Sequence, residues 1–196
     1  MQGQGLSLPK VNKRASNHKG CPCKNCNRTL NLENLNSLAA SDAEAEFLKC
    51  CGSRSWARAM TSARPFENKD ELMNGADRVW WSLDSADWLE ALRAHPKIGE
   101  KKAAVTQSEQ AEAWSAQEQS ATQNASSGTM AALAEGNREY EQRFGFIFIV
   151  CATGKSSEEM LTLLNQRLQN DPETELRFAA EEQLKITRLR LEKLLN

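Results

Sequence analysis

The chain has 196 residues, which suits one domain with some chain to spare, and 40% of them are hydrophobic, enough for a core. Its 25 lysines and arginines are balanced by 26 acidic residues, so a net charge of −1 gives no reason to expect a nucleic acid or an anionic membrane as partner. No stretch approaches the roughly 18 apolar residues of a membrane span, and residues 1–20 lack an apolar signal-peptide core. The chain therefore reads as intracellular, with its six cysteines as reduced thiols.

Residues 1–40 are rich in Gly, Asn, Ser and Lys and are read as a disordered extension. Within them lies Cys21-Pro-Cys23-Lys-Asn-Cys26. Three thiols so close could hold zinc if His18 supplied the fourth ligand, but no second Cys or His pair has finger-like spacing. An unstructured tail is the preferred reading, and no metal is expected.

From residue 41 the pattern is helical. Helices are expected over 42–51, 53–62, 69–81 and 85–94, with a turn at Arg64-Pro65-Phe66. A short helix over 108–114 precedes a long one over 115–143, which Ser126-Ser127-Gly128 could interrupt. Helices over 156–169 and 172–195 close the chain. The exception is the apolar run 146–150, too short for a helix and without a second strand to pair with. It is expected to be a buried extended segment whose backbone groups find other partners, a bound ligand among them. The fold class is thus all-α: one bundle of six to eight helices over residues 41–196.

Three places carry chemistry. In Asp87-Trp-Leu-Glu-Ala-Leu-Arg-Ala-His95-Pro96, the residues Trp88, Leu89 and Leu92 share a helix face, and Pro96 ends the helix at His95. That histidine either satisfies a helix-end carbonyl or transfers protons, and the dipole there would favour its charged form. Next, Ser115-Ala116-Gln117-Glu118 has the form of a capping box. A helix N-terminus here would offer N–H groups to an anion and keep Glu118 ionised. Lastly, Ile186, Leu189, Leu191, Leu194 and Leu195 form an apolar arc on the last helix, and Arg190 falls inside it while Arg188 lies at its rim. A buried arginine needs either an internal acid or an anion site. Cys50 and Cys51 are read as packing residues, and Cys151 as small and buried.

The stretch Trp88-Leu-Glu-Ala-Leu-Arg-Ala-His95-Pro96-Lys-Ile-Gly99 resembles the signature of the OHCU decarboxylases. Four further blocks fit the same family in the same order: Cys50-Cys-Gly-Ser-Arg-Ser-Trp-Ala-Arg-Ala-Met60, Trp114-Ser-Ala-Gln-Glu-Gln119, Arg143-Phe-Gly-Phe-Ile-Phe-Ile-Val-Cys-Ala152 and Lys185-Ile-Thr-Arg-Leu-Arg-Leu191. The first and second of these four look most like the plant-type members.

The resemblance implies decarboxylation of 2-oxo-4-hydroxy-4-carboxy-5-ureidoimidazoline, a uric acid breakdown intermediate, to (S)-allantoin and CO2 without a cofactor. It implies catalytic roles for His95, Glu118 and Arg190. Substrate contacts would come from Pro96, Ser115, Ala116, Gln117, Gln119, Phe148, Ile149, Val150, Cys151 and Ala152. The partners expected are the small-molecule substrate and a second copy in a homodimer. Plant-type relatives commonly continue into a transthyretin-like domain; without one this chain is expected to be monofunctional or a fragment. Peroxisomal and cytoplasmic locations both stay open: Leu194-Leu195-Asn196 is not a Ser-Lys-Leu-type address, and Lys10-Val11 with His18 only partly resembles the N-terminal signal. The alternative from another class is a non-catalytic helical interaction module that retains these blocks for packing.

Overall fold

The computed structural model describes residues 30–98, 108–120 and 125–196, so the candidate thiols Cys21, Cys23 and Cys26, with His18, lie outside the described residues. Among those described there are nine helices and no strand. They are α1 (Leu32–Ser37), α2 (Ala40–Cys51), α3 (Arg54–Ser62), α4 (Lys69–Ser82), α5 (Ser85–Arg93), α6 (Glu109–Glu118), α7 (Ser127–Phe144), α8 (Ser157–Arg167) and α9 (Pro172–Leu194).

Most starts are set by one side chain satisfying a free N–H of the first turn. Ser53 accepts from Trp56, Asn68 from Glu71, Asp84 from Ala86 and Asp87, and Asp171 from Thr174 ahead of Pro172. Ser156 and Glu159 complete a full capping box at α8.

Two boundaries differ from the sequence reading. The long helix expected over 115–143 is two helices. The short helix expected from residue 108 does start there, with Ser108 Oγ accepting from the Ala111 N–H at 3.2 Å, but it runs on to Glu118; α7 then starts at the Ser126 cap, at the interruption that Ser126-Ser127-Gly128 offers. Glu109 and Glu112 in the first turn of α6 favour the upstream start through the helix dipole. The extension expected over residues 1–40 also becomes ordered structure before its end. Leu35 of α1 is fully buried, and Arg64 Nη1 donates to the carbonyls of Leu35 (2.7 Å) and Leu38 (3.0 Å). Asn36 exchanges two hydrogen bonds with the Phe66 backbone, so α1 is tied to the 64–66 turn.

Packing makes α9 the shaft of the domain. One apolar cluster joins Phe47, Trp56, Met60, Leu72 and Trp80 to Ala180, Leu184, Leu191 and Leu194 of α9. The Phe47 and Trp56 rings meet edge to face at 5.9 Å, and Trp80 Nε1 donates to the Ala180 carbonyl at 3.0 Å. A second cluster joins Leu92, Leu133, Tyr140, Phe148, Met160 and Leu164 to Ala179 and Ile186. Between the two apolar faces of α9 runs a buried polar stripe of Gln183, Thr187 and Arg190, with Glu175 two turns earlier. That stripe is where the site is built.

Because Leu35 and the acceptors of Arg64 lie before residue 41, a chain beginning at Ser41 is expected to melt on the order of 5–10 °C below one beginning at Leu30. Thermal unfolding followed by circular dichroism checks this; equal midpoints would show that α1 contributes nothing to the core.

Candidate active site

His95 is set by the end of α5. The Ala94 and His95 N–H groups fold back onto the carbonyls of Ala91 (3.1 Å) and Leu92 (3.2 Å), and Pro96 prevents a further turn. From the other side α2 packs close. Its C-cap Gly52 sits at φ +84°, and a Cβ there would lie 2.6 Å from the Ala94 Cβ. Only glycine allows both the left-handed turn and this approach.

The imidazole is buried, 7% exposed, and Nε2 has no hydrogen-bond partner. Burial, and then the charge of Arg190, push its pKa from 6.5 down to about 3; the Gln183 amide works against them more weakly. The expectation that the α5 dipole would favour the charged form is therefore overturned. The field of a helix end contributes about 1 kcal/mol, and removing a cation from water costs several times that. His95 is a neutral imidazole.

Glu118 comes from the opposite wall, and its setting also differs from the sequence reading. Ser115 and Glu118 do not open a helix as a capping box; they lie in the last turn of α6, three residues apart on the face toward α9. Backbone N–H groups do not balance the carboxylate there, because a helix C-terminus presents carbonyls. Cations do so instead. The Arg190 guanidinium closes on Glu118 as a fork, Nη2 to Oε2 at 2.8 Å and Nε to Oε1 at 3.1 Å, and Lys193 adds a contact at 3.3 Å. Arg190 Nη2 also donates to Ser115 Oγ (2.9 Å), and Nη1 to the Lys49 carbonyl at the end of α2 (3.5 Å). The Arg190 and Glu118 side chains are 2% and 8% exposed. Arg190 is thus inward, as its place in the apolar arc predicts, and the internal acid it pairs with belongs to the cleft. Arg188 lies toward solvent and pairs with Asp77 at 2.7 Å.

The third wall is the segment after α7. Gly145, at φ +77°, ends that helix, and the chain then runs buried and without helix or strand through Phe148, Ile149, Val150, Cys151 and Ala152. Side chains satisfy much of its backbone. Arg167 Nη1 donates to the Ile149 carbonyl at 2.7 Å, Glu182 accepts from the Cys151 N–H at 2.7 Å, and Lys155 donates to the Cys151 carbonyl at 2.8 Å. Arg167 is itself fixed by the buried Glu175 and stacks over the Phe148 ring at 4.9 Å.

These walls enclose a small cleft, about 440 Å³ with its open mouth included. His95, Pro96, Ser115, Glu118, Gln119 and residues 148–152 all line it. Gln119 Nε2 reaches the Pro96 carbonyl at 3.5 Å, joining two walls. Ala116 and Gln117 are exposed and do not line it. Arg190 stands behind Glu118 and Ser115 and borders a second cleft on the far side with Lys49, Gly52, Arg54 and Arg93. Sequence reasoning missed Ile98, Thr153, Ile186 and Leu189 as lining residues; the apolar arc of α9 already contained two of them. Among the described residues no group of three or more His, Cys, Asp or Glu side chains is placed to hold a metal ion. Burial raises the thiols of Cys50, Cys51 (to about 12) and Cys151, so they are protonated near neutral pH.

An all-helical domain with a small cleft lined by an acid and an imidazole has the make-up of a small-molecule site. More narrowly, the chain belongs to the OHCU decarboxylase family, whose profile matches residues 36–192. It is 38% identical over 158 residues to the uric acid degradation bifunctional protein TTL of Arabidopsis thaliana, covering 80% of this chain and 48% of that protein. This chain therefore spans about half the length of that plant relative. With the 2-oxo-4-hydroxy-4-carboxy-5-ureidoimidazoline decarboxylase of Amia calva it shares 35% identity over 139 residues, 69% of this chain and 77% of the other. A solved structure of OHCU decarboxylase in the presence of (S)-allantoin superposes with a TM-score of 0.65 at 40% identity, over 77% of this chain and 97% of that one.

His95 makes stability depend on pH. Its folded pKa lies below the unfolded value, so between about pH 3 and 6.5 the unfolded state binds the extra proton and acid destabilises the fold; above 6.5 the contribution is complete. Relative to His95→Asn, the wild type is expected to lose about 2 kcal/mol more between pH 7.5 and pH 5. Urea unfolding of both proteins at the two pH values measures it; equal losses would mean the imidazole is free to protonate in place.

Proposed function

We propose that this chain decarboxylates 2-oxo-4-hydroxy-4-carboxy-5-ureidoimidazoline to (S)-allantoin and CO2, as a step of uric acid degradation. One observation carries the reading: a neutral buried imidazole and a cation-clamped carboxylate line the same small cleft. Family membership supplies the substrate.

The reaction breaks the bond from ring carbon C4 to its carboxylate. CO2 leaves, the electron pair passes into the adjacent C5=N unit and its nitrogen takes up a proton; the resulting enol becomes the C4 carbonyl as the hydroxyl proton leaves and one is added at C5, so that one proton is taken up overall. The substrate's own imine accepts the charge, so the protein has to orient the ring, exclude water and move protons. His95, neutral, takes the proton of the C4 hydroxyl. Glu118 orients the ring and assists the proton that ends at C5. Arg190 and Lys193 hold that carboxylate and keep a positive field behind a site that receives an anion. Ser115 Oγ accepts from Arg190, which leaves its own proton for the ligand. Pro96 forms a wall.

In the segment after α7 the carbonyl of Ile149 and both backbone groups of Cys151 are already engaged. The remaining backbone groups of Phe148 to Ala152, those of Val150 among them, would hold the ring. Fixing one ring face in this way accounts for a single enantiomer. A homodimeric form and a peroxisomal or cytoplasmic location go with this reading on family likeness alone; sedimentation and cell fractionation test them.

The direct assay supplies uric acid, uricase and hydroxyisourate hydrolase and follows optical activity; acceleration of (S)-allantoin formation is expected. His95→Asn is expected to slow turnover about 10²–10⁴-fold while remaining folded at pH 7.5. A wild-type rate in that variant would remove His95 from the mechanism.

The two arginines of α9 are expected to separate sharply. Arg190→Lys keeps the charge but loses the fork on Glu118 and the bond to Ser115, and turnover is expected to fall at least tenfold. Arg188→Lys, at an exposed pair, changes stability by no more than about 0.5 kcal/mol and leaves kinetics unchanged. Steady-state kinetics on both purified variants decide it; a crippled Arg188→Lys would move the essential arginine to position 188.

A further inference from the structure

Gln183 is the buried residue of α9 for which neither the core nor the proposed chemistry has given a use. It is fully buried, on the polar stripe seven residues before Arg190. Its amide orientation is determined by its neighbours. Thr187 Oγ1 donates its only proton to the Gln183 carbonyl at 3.0 Å, so toward the amide it has only lone pairs left. The group at 3.1 Å from that oxygen must therefore be the amide NH2, Nε2. The same NH2 points at a second acceptor, the Cys51 carbonyl, at 3.4 Å. Both donors are directed to one side, and Oε1 is left on the other.

Oε1 is buried with no partner, and so is Nε2 of His95. The two side chains are neighbours, near enough for the Gln183 amide to favour a proton on the ring. A pair of buried orphans this close is costly unless they bond to each other, and one arrangement satisfies both: Nε2 carries the proton and gives it to Oε1.

We infer that Gln183 is a positioning residue that holds His95 as its Nε2–H tautomer, which leaves Nδ1 as the basic atom of the cleft. Resting on the decarboxylase reading, this specifies the proton step. The Nδ1 lone pair takes the C4 hydroxyl proton, the new positive charge spreads to Nε2–H, and the Oε1 dipole stabilises it there. The stripe of α9 thus serves both walls at once: Arg190 holds Glu118, and Gln183, braced by Thr187 and the end of α2, holds His95.

The test reads the tautomer directly and needs no turnover. With ¹⁵N-labelled histidine the chain has two imidazoles, and His18→Asn identifies the signals of His95. At pH 7.5 the expected spectrum has a pyrrole-like Nε2 and a pyridine-like Nδ1. The opposite pattern, or an average of the two, overturns the inference even if the enzyme is fully active. A positive spectrum with no decarboxylase activity keeps the tautomer assignment and sinks the functional reading instead.

Gln183→Met fills a similar volume without an acceptor. It is expected to mix the tautomers and lower kcat about 10–100-fold with little change in KM. Gln183→Glu keeps an oxygen on Nε2 and is expected to restore the tautomer while raising the kinetic pKa of His95. A Gln183→Met protein that keeps the wild-type tautomer and kcat would assign Gln183 to packing alone.

Discussion

The buried ion pair between Arg190 and Glu118 is the contact on which the rest of the site depends. Two charges at 2% and 8% exposure are tolerated only because each is almost completely bonded. Arg190 spends its guanidinium on a carboxylate, a hydroxyl and a helix-end carbonyl, which belong to α6 and α2. One side chain of α9 therefore fixes how two other helices meet. Removing either partner would strand the other at about 3–5 kcal/mol. The same cation also acts at a distance, helping burial to hold His95 neutral. A proton acceptor and a fixed carboxylate on facing walls follow from a single buried charge.

A second buried pair does the equivalent work for the third wall. Glu175 is fully buried and takes Arg167, Asn170 and the Tyr140 hydroxyl; Arg167 then extends to the Ile149 carbonyl and the Phe148 ring. A non-helical segment inside a helical domain lacks a neighbouring strand for its backbone groups. Charged side chains from α8, α9 and the loop between α7 and α8 replace that strand. This explains how a five-residue apolar run can lie buried between helices and line the cleft.

Much of this architecture can be read from local chemistry. Caps at Ser53, Asn68, Asp84, Ser156 and Asp171 announce their helices, Pro96 announces a stop, and the periodicity of α9 turns Arg190 inward and Arg188 outward. What escapes the sequence is decided beyond the few residues of a local motif. Ser108 and Ser115 are both acceptable caps, seven residues apart, and the helix that Ser108 opens runs on through Ser115 to Glu118. That choice carries Ala116 and Gln117 to the outside and takes Glu118 from one end of a helix to the other. The state of His95 is hidden for a similar reason, since Arg190 and Gln183, which act on its ring, lie some ninety positions later. The leucines of α1 were spaced for a helix, but their Asn-rich setting masked the signal. The polar stripe on α9 was visible only in part: Arg190 breaks the apolar arc conspicuously, whereas Gln183 and Thr187 look like ordinary surface residues until both flanking faces are seen to be buried.

The depth of the Arg190 and Glu118 pair also bears on how the site responds to its medium. Pairs such as Arg54 with Glu90 and Arg58 with Glu44 stand in solvent and fade as ionic strength rises. Counterions have no comparable access to a contact sealed under Ser115 and the end of α2. The cleft is accordingly built to keep its shape across salt concentrations that erase the surface electrostatics of the domain, while capture of an anion from solution, which depends on the outer field, would still weaken with added salt.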